Sequence, residues 1–199
     1  MTPKPLKQKN TGTLFLLVGP SRVGKDTILR SLLRRRSLGL VKLVTMTTRL
    51  RRPGEIAGKT YHYVSDDAFQ ERIAKKQLLE WAPVRNYKYG TPKEPLLTLL
   101  QQGHNVIQQI DVRGAAALRA RTLRTITIFI LPGSLAELKV RLSSNTFTPE
   151  QRRVRWTETE QELARQTEFD YRIVNTQGKL GQAVDEVAAI IRSIAQVHS

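Results

Sequence analysis

The chain has 199 residues, 40% hydrophobic and 25% charged, a composition that fits one globular domain and excludes a disordered chain. It has no cysteine, which excludes disulfides and thiolate metal sites, and no apolar run near the roughly 20 residues of a membrane helix. Its 33 Lys and Arg against 17 Asp and Glu leave a formal net charge of +16, so a polyanion is expected: nucleotide phosphates within a site, or nucleic acid on the surface, the latter resting on charge alone.

Residues 1–10 carry Lys4, Lys7 and Lys9 without the apolar stretch of a secretory signal, and read as a flexible basic tail on a cytoplasmic protein. Residues 13–18 form an apolar run that ends in Gly19-Pro20-Ser21, as a buried strand feeding a loop does, and a helix is predicted from near Lys25. The arginines at 34–36 read as a solvated face, as do those at 119–124. Further strand-sized runs follow at 41–45, 105–110, 125–130 and 171–174, separated by segments of helical length. That alternation predicts an α/β fold, a parallel sheet with helices on both faces. Ser134 and Glu137 form a capping box ahead of one helix, and Ala183, Val187, Ile190, Ile191 and Ile194 mark the packing stripe of the last.

Two segments interrupt the alternation. Residues 46–92 are rich in Arg, Gly, Tyr and Pro, with strand-like pieces at 61–64 and 79–84. Residues 143–155 are polar and basic with no apolar period. Both read as inserts on a single domain whose core is 11–45, 93–142 and 156–199, and inserts of this kind carry substrates or act as lids.

Gly19-Pro20-Ser21-Arg22-Val23-Gly24-Lys25 matches G-x-x-x-x-G-K between a strand and a helix. The glycines let backbone N–H groups turn inward around phosphate oxygens, the helix start adds a positive end, and Lys25 bridges the outer phosphates. Residues 19–27 are therefore the candidate ATP loop. The hydroxyl that usually follows the lysine is replaced by Asp26, with Thr27 next, which makes Asp26 the candidate ligand of the Mg²⁺ that accompanies ATP.

From residue 11 to 194 the chain resembles the guanylate kinase family. The most specific stretch is Thr45-Met-Thr-Thr-Arg49-Leu-Arg-Arg52-Pro-Gly-Glu55-Ile-Ala-Gly58-Lys-Thr-Tyr61-His-Tyr-Val-Ser65, joined by Leu79-Glu80-Trp81-Ala82, Tyr89-Gly90-Thr91-Pro92 and Ile110-Asp111-Val-Arg-Gly114. The resemblance implies a P-loop nucleoside monophosphate kinase fold with a GMP-binding insert at 46–92 and a lid at 143–155, transferring the terminal phosphoryl group of ATP to GMP. It assigns the GMP phosphate to Thr45, Arg49, Arg52 and Tyr61, with Tyr89 as a further contact. Two guanidiniums three residues apart can fork onto one phosphate. Glu80 and Thr91, beside Gly90, match the guanine contacts, in keeping with a base edge that needs an acceptor for N1 and N2 and a donor for O6.

Asp111 matches another base contact, although its place after an apolar strand also suits a metal ligand. Trp81 reads as core. Lys25, Arg49 and Arg155 are the expected catalytic cations. The chain departs from the family at Asp26, at Gln109 where an aspartate is usual, and at Ser144 where the lid usually has a second arginine, a role open to Arg152 or Arg153. His62, His104 and His198 show no metal spacing. A related ribose bisphosphate phosphokinase and a catalytically weak interaction domain are the competing readings. The first lacks the intact GMP string, and the second loses loop residues that this chain keeps. Oligomeric state is not written in the sequence.

Overall fold

The computed structural model describes residues 11–122, 124–143 and 148–196. Its main sheet is wholly parallel. β1 (Leu14–Val18) lies at the centre, between β7 (Asn105–Gln109) and β8 (Thr125–Pro132), with β2 (Leu40–Lys42) beyond β7 and β9 (Tyr171–Asn175) beyond β8.

Every side chain of β1 is buried, which is why its sequence is an unbroken apolar run rather than an alternation. Phe15 and Leu17 point to one face, into a cluster with α1 (Lys25–Arg34) and α7 (Leu180–Gln196) through Ile28, Leu32, Val187 and Ile191. Leu14, Leu16 and Val18 point to the other, onto α3 (Lys93–Gln101) and α4 (Val112–Arg119) through Leu96, Val112 and Leu118. Truncating Leu16 to Ala in this two-sided core costs about 2–5 kcal/mol.

A second sheet takes up much of 46–92, in the order β4 (His62–Tyr63), β3 (Met46–Thr47), β6 (Tyr87–Pro92), β5 (Leu78–Val84), with α2 (Asp66–Ala74) beside it. The run expected at 41–45 divides between the two sheets. β2 ends at Lys42, Leu43 still donates its amide to Ile107 (3.2 Å), and the Thr45 carbonyl accepts His62 of the second sheet (2.8 Å). Lys42 Nζ reaches the carbonyls of Lys59 (2.8 Å) and Thr60 (3.2 Å), tying the sheets together.

α5 (Leu135–Leu142) begins at Ser134, whose hydroxyl accepts the Glu137 amide (3.1 Å). The Glu137 carboxylate turns instead to the Gln177 amide (3.2 Å) and to Arg141 (3.5 Å). The expected insert at 143–155 contains the start of a long helix, α6 (Pro149–Ala164), so the boundary drawn at 155/156 falls inside a continuous element. A capping box of Thr148 and Gln151, with Pro149 in the first turn, starts it. Thr159 is its one fully buried residue, so no apolar stripe announces it. Ser144 lies outside the described residues.

Candidate active site

The chain order places β1 between strands reached in opposite directions, and in open α/β sheets the crevice at the carboxyl ends of such strands binds ligands. Residues 19–24 occupy it. A Cβ on Gly19 (φ 133°) would sit 2.5 Å from the Ile130 carbonyl oxygen, and one on Gly24 (φ 105°) 2.4 Å from Asn175 Nδ2, so both positions admit only glycine. Asn175, at the end of β9, donates to the Val23 carbonyl (2.8 Å) and braces the loop from beneath.

Lys25 Nζ donates to the Gly19 (2.5 Å) and Pro20 (2.7 Å) carbonyls, which holds the ammonium over the loop. Burial lowers its pKa, while Glu162, Asp26 and Asp111 oppose the shift. Arg22 sits at φ 62°, a strained value for a side-chain-bearing residue, and its Nη1 donates to the Arg141 carbonyl (3.0 Å) at the end of α5. Asp26, in the first turn of α1, accepts a hydrogen bond from Gln109 Nε2 at 2.6 Å. The same nitrogen is 3.4 Å from the Tyr61 hydroxyl. Pro20 and Val23 present backbone to the loop, and the Thr27 amide donates to Gly24 (3.1 Å).

Across the cleft, Thr91 on β6 donates its hydroxyl to Glu80 on β5 (2.5 Å), and Gln108 Nε2 donates to the same hydroxyl oxygen (3.3 Å). Both Glu80 and Thr91 are buried. A register shift between Leu78 and Glu80 lets Leu79 and Glu80 both turn inward, and Trp81 then points out. Trp81 is therefore not core: it is 44% exposed and packs edge-on against Phe69. Burial, with a contribution from Asp111, pushes the Glu80 carboxyl up to about 7, against the pull of Thr91 and Arg121. Asp111 caps α4 by accepting the Gly114 amide (2.8 Å). Gly90 is required for packing, since a Cβ there would meet Leu78 at 2.9 Å and Phe69 at 3.0 Å.

Arg49 is only 6% exposed. Its guanidinium donates to Glu55 (2.7 Å), the Tyr89 hydroxyl (3.2 Å) and the Leu50 carbonyl (2.7 Å), and lies within 6 Å of the Tyr61 and Tyr63 rings, at 5.7 and 5.8 Å. Desolvation works against its charge, but Glu55 and Tyr89 outweigh it and raise the pKa. Glu55, despite its own desolvation, is held down at about 2 by Arg49, the Arg52 amide and Tyr63. Of the two arginines expected to share one phosphate, Arg49 is buried and Arg52 is exposed, and the single carboxylate of Glu55 holds both, accepting from Arg49 Nη2 (2.7 Å) and from the Arg52 backbone amide (2.8 Å).

Between these groups lies a cleft of about 490 Å³. Its wall brings together Gly19, Ser21, Arg22, Lys25 and Asp26 with Thr45, Tyr61, Glu80, Tyr89, Gly90, Thr91 and Asp111. Arg155, half-buried on α6, lies near enough to Arg85, Arg22 and Arg52 for burial and their charges to lower its pKa. Glu158, Gln161 and Glu162 of α6 and Arg165 at its C-terminal cap, with Arg85 from the β5–β6 turn, also line the cleft and carry no signal in the sequence reading. Burial, reinforced by Asp111 and Glu158 and opposed by Lys25, pushes Glu162 up to about 7. A neighbouring cavity of about 530 Å³, between α1 and residues 53–61, shares Asp26, Tyr61 and Gln109.

The family model for guanylate kinase matches residues 11–194. The chain belongs to the guanylate kinase family. It is 45% identical over 177 residues to a guanylate kinase of Thermosynechococcus vestitus, covering 87% of this chain and 88% of the relative. A guanylate kinase of Gloeobacter violaceus is 43% identical over 179 residues, covering 89% and 86%. The crystal structure of guanylate kinase from Anaplasma phagocytophilum superimposes with a TM-score of 0.78 at 28% identity, covering 94% of this chain and 88% of that one. This family member has the P-loop nucleoside monophosphate kinase fold and is a phosphotransferase.

Proposed function

We propose that the chain converts ATP and GMP to ADP and GDP, with ATP on residues 19–27 and GMP held by the insert at 46–92. The observation that carries this reading is the buried pair of Glu80 and Thr91 facing the phosphate loop across one cleft. A carboxylate accepts the N1 and N2 hydrogens of guanine, and a hydroxyl beside it can donate to O6. The adenine edge offers no such donor pair.

The GMP phosphate is taken to meet the Tyr61 and Tyr89 hydroxyls and Thr45, with Arg49 behind them and Arg52 closing from outside. An oxygen of that phosphate attacks the γ-phosphorus of ATP in line. The new oxygen–phosphorus bond forms as the bond to the bridging β,γ-oxygen breaks, and ADP leaves. A phosphate monoester is largely dianionic at neutral pH, so the attack needs no protein base. Lys25 exchanges its two loop carbonyls for phosphate oxygens, and Arg155 and Arg22 add positive charge beside the migrating group.

Mg²⁺ fits this donor set. Among the described residues no cluster of three or more His, Cys, Asp or Glu could hold a metal, but Mg²⁺ usually rests on one or two carboxylates plus phosphates and water, and Asp26 supplies one. When bound it would neutralise the β- and γ-phosphates.

No helix among the described residues is long and apolar enough to cross a membrane, and the cytoplasm is the proposed location. The test is ADP formation from ATP with GMP, AMP, UMP or ribose 1,5-bisphosphate as acceptor. GMP should turn over at about 1–100 s⁻¹. Lys25→Ala should abolish it. Absence of turnover with every acceptor would contradict the enzyme reading and favour an interaction domain.

A further inference from the structure

P-loop enzymes commonly hold their metal between a hydroxyl after the loop lysine and an acid on a neighbouring strand. Here the residue after Lys25 is Asp26, and β7, hydrogen-bonded beside β1, ends in Gln109, which pairs with Leu17. The two side chains touch: Gln109 Nε2 donates to Asp26 Oδ1 at 2.6 Å. A carboxylate only accepts, so the amide nitrogen must face Asp26. That choice leaves Gln109 Oε1 buried with no partner among the described residues, which is unfavourable for a polar atom. An unsatisfied oxygen is tolerated in return for a fixed carboxylate.

We propose that the carboxylate of the metal–phosphate site has changed places between strand and loop, and that Gln109 is the positioning residue that aims it. The inference rests on ATP occupying residues 19–27. One charged and one neutral group then occupy the two positions whichever way round they stand. Acids at both would set carboxylates against each other at hydrogen-bond distance. Neutral groups at both would leave the metal no carboxylate from either of these two positions. Gln109 also touches Tyr61 on the opposite wall, so the aimed carboxylate lies next to the proposed GMP phosphate contact.

Isosteric exchange tests this. Asp26→Asn and Gln109→Glu each break the charge pattern, and the double variant D26N/Q109E restores it in mirror image. Titration calorimetry with ADP, once with Mg²⁺ and once with EDTA, gives the metal-dependent gain in affinity for each protein. Each single variant should reduce that gain by about tenfold or more. The double variant should recover most of it, a strongly non-additive cycle. Additive losses, or an equal gain in all four proteins, would overturn the exchange. If Gln109→Glu does not fold, Gln109→Met removes the donor without adding charge. Weaker Mg·ADP binding with unchanged binding in EDTA then supports the positioning role, and no change in either overturns it. Wild-type protein that binds ADP in neither condition would refute the ATP assignment itself.

Discussion

Arg85 holds Glu158 through two hydrogen bonds to one carboxylate oxygen, from Nε at 3.2 Å and Nη2 at 3.0 Å. Arg85 sits at φ 57° in the tight turn between β5 and β6, and Glu158 is on α6, so the pair spans the cleft from the second sheet to the helix that follows residues 144–147. Both side chains are about a third or more exposed, which limits the pair's worth to stability at about 1 kcal/mol or less. Arg85→Ala should therefore leave the thermal midpoint nearly unchanged while raising KM for GMP by about three- to tenfold, because a partly ordered enclosure must be paid for on binding. Steady-state kinetics beside a melting curve check both.

Glu80 and Glu162 make the unliganded protein sensitive to pH. Both carboxyls stand at about 7 in the folded chain, above the ordinary carboxylate value of about 4.3. The folded state therefore binds more protons than the unfolded state between those values. The carboxyls' contribution to stability is fully present below about pH 4.3 and is lost as pH rises through about 7, by about 3 kcal/mol for buried Glu80. Glu55, held near 2, acts oppositely but only below about pH 4.5, outside this window. Melting curves from pH 5 to 8 should show the midpoint falling, and Glu80→Gln should flatten the slope. The same variant should weaken GMP binding by about 10- to 100-fold with little effect on ATP, since a charge-assisted acceptor for two guanine N–H groups is lost. Equal loss for both nucleotides would contradict the role given to Glu80.

Arg22 separates stability from function. At φ 62° a side chain costs about 1 kcal/mol or more that glycine avoids. Arg22→Gly should raise the thermal midpoint by about 2–4 °C, less what the bond to the Arg141 carbonyl contributed. If Arg22 also supplies charge to the ATP phosphates, KM for ATP should rise in the same variant. A more stable protein with unaltered kinetics would remove Arg22 from the site.

The parallel sheet was legible because strands buried on both faces must be continuous apolar runs, as Leu14 to Val18 are. The phosphate loop was legible because Gly19 and Gly24 meet backbone and Asn175 where any Cβ would collide. Asn175 itself was not, since nothing local in the sequence says that the end of β9 lies under Val23. α6 escaped for a different reason: without an apolar stripe its helical period is silent, and only Thr148, Pro149 and Gln151 announce its start. Glu158 and Glu162 went unread with it. Glu55 stood in plain view within the most specific stretch, but its grip on Arg49 appears only when β3, lying between β4 and β6, brings Tyr61, Tyr63 and Tyr89 together around that guanidinium. Trp81 was misplaced by a single register shift, which put its neighbour Glu80 inside and the indole out.

The central claim is that Glu80 and Thr91 read guanine. The direct measurement is kcat/KM for GMP against AMP at pH 8, where Glu80 is ionised. A buried site built to accept and donate hydrogen bonds should favour GMP by about 10⁴-fold, because adenine leaves Glu80 and Thr91 unpaired. Comparable values for GMP and AMP, or turnover confined to ribose 1,5-bisphosphate, would contradict the account.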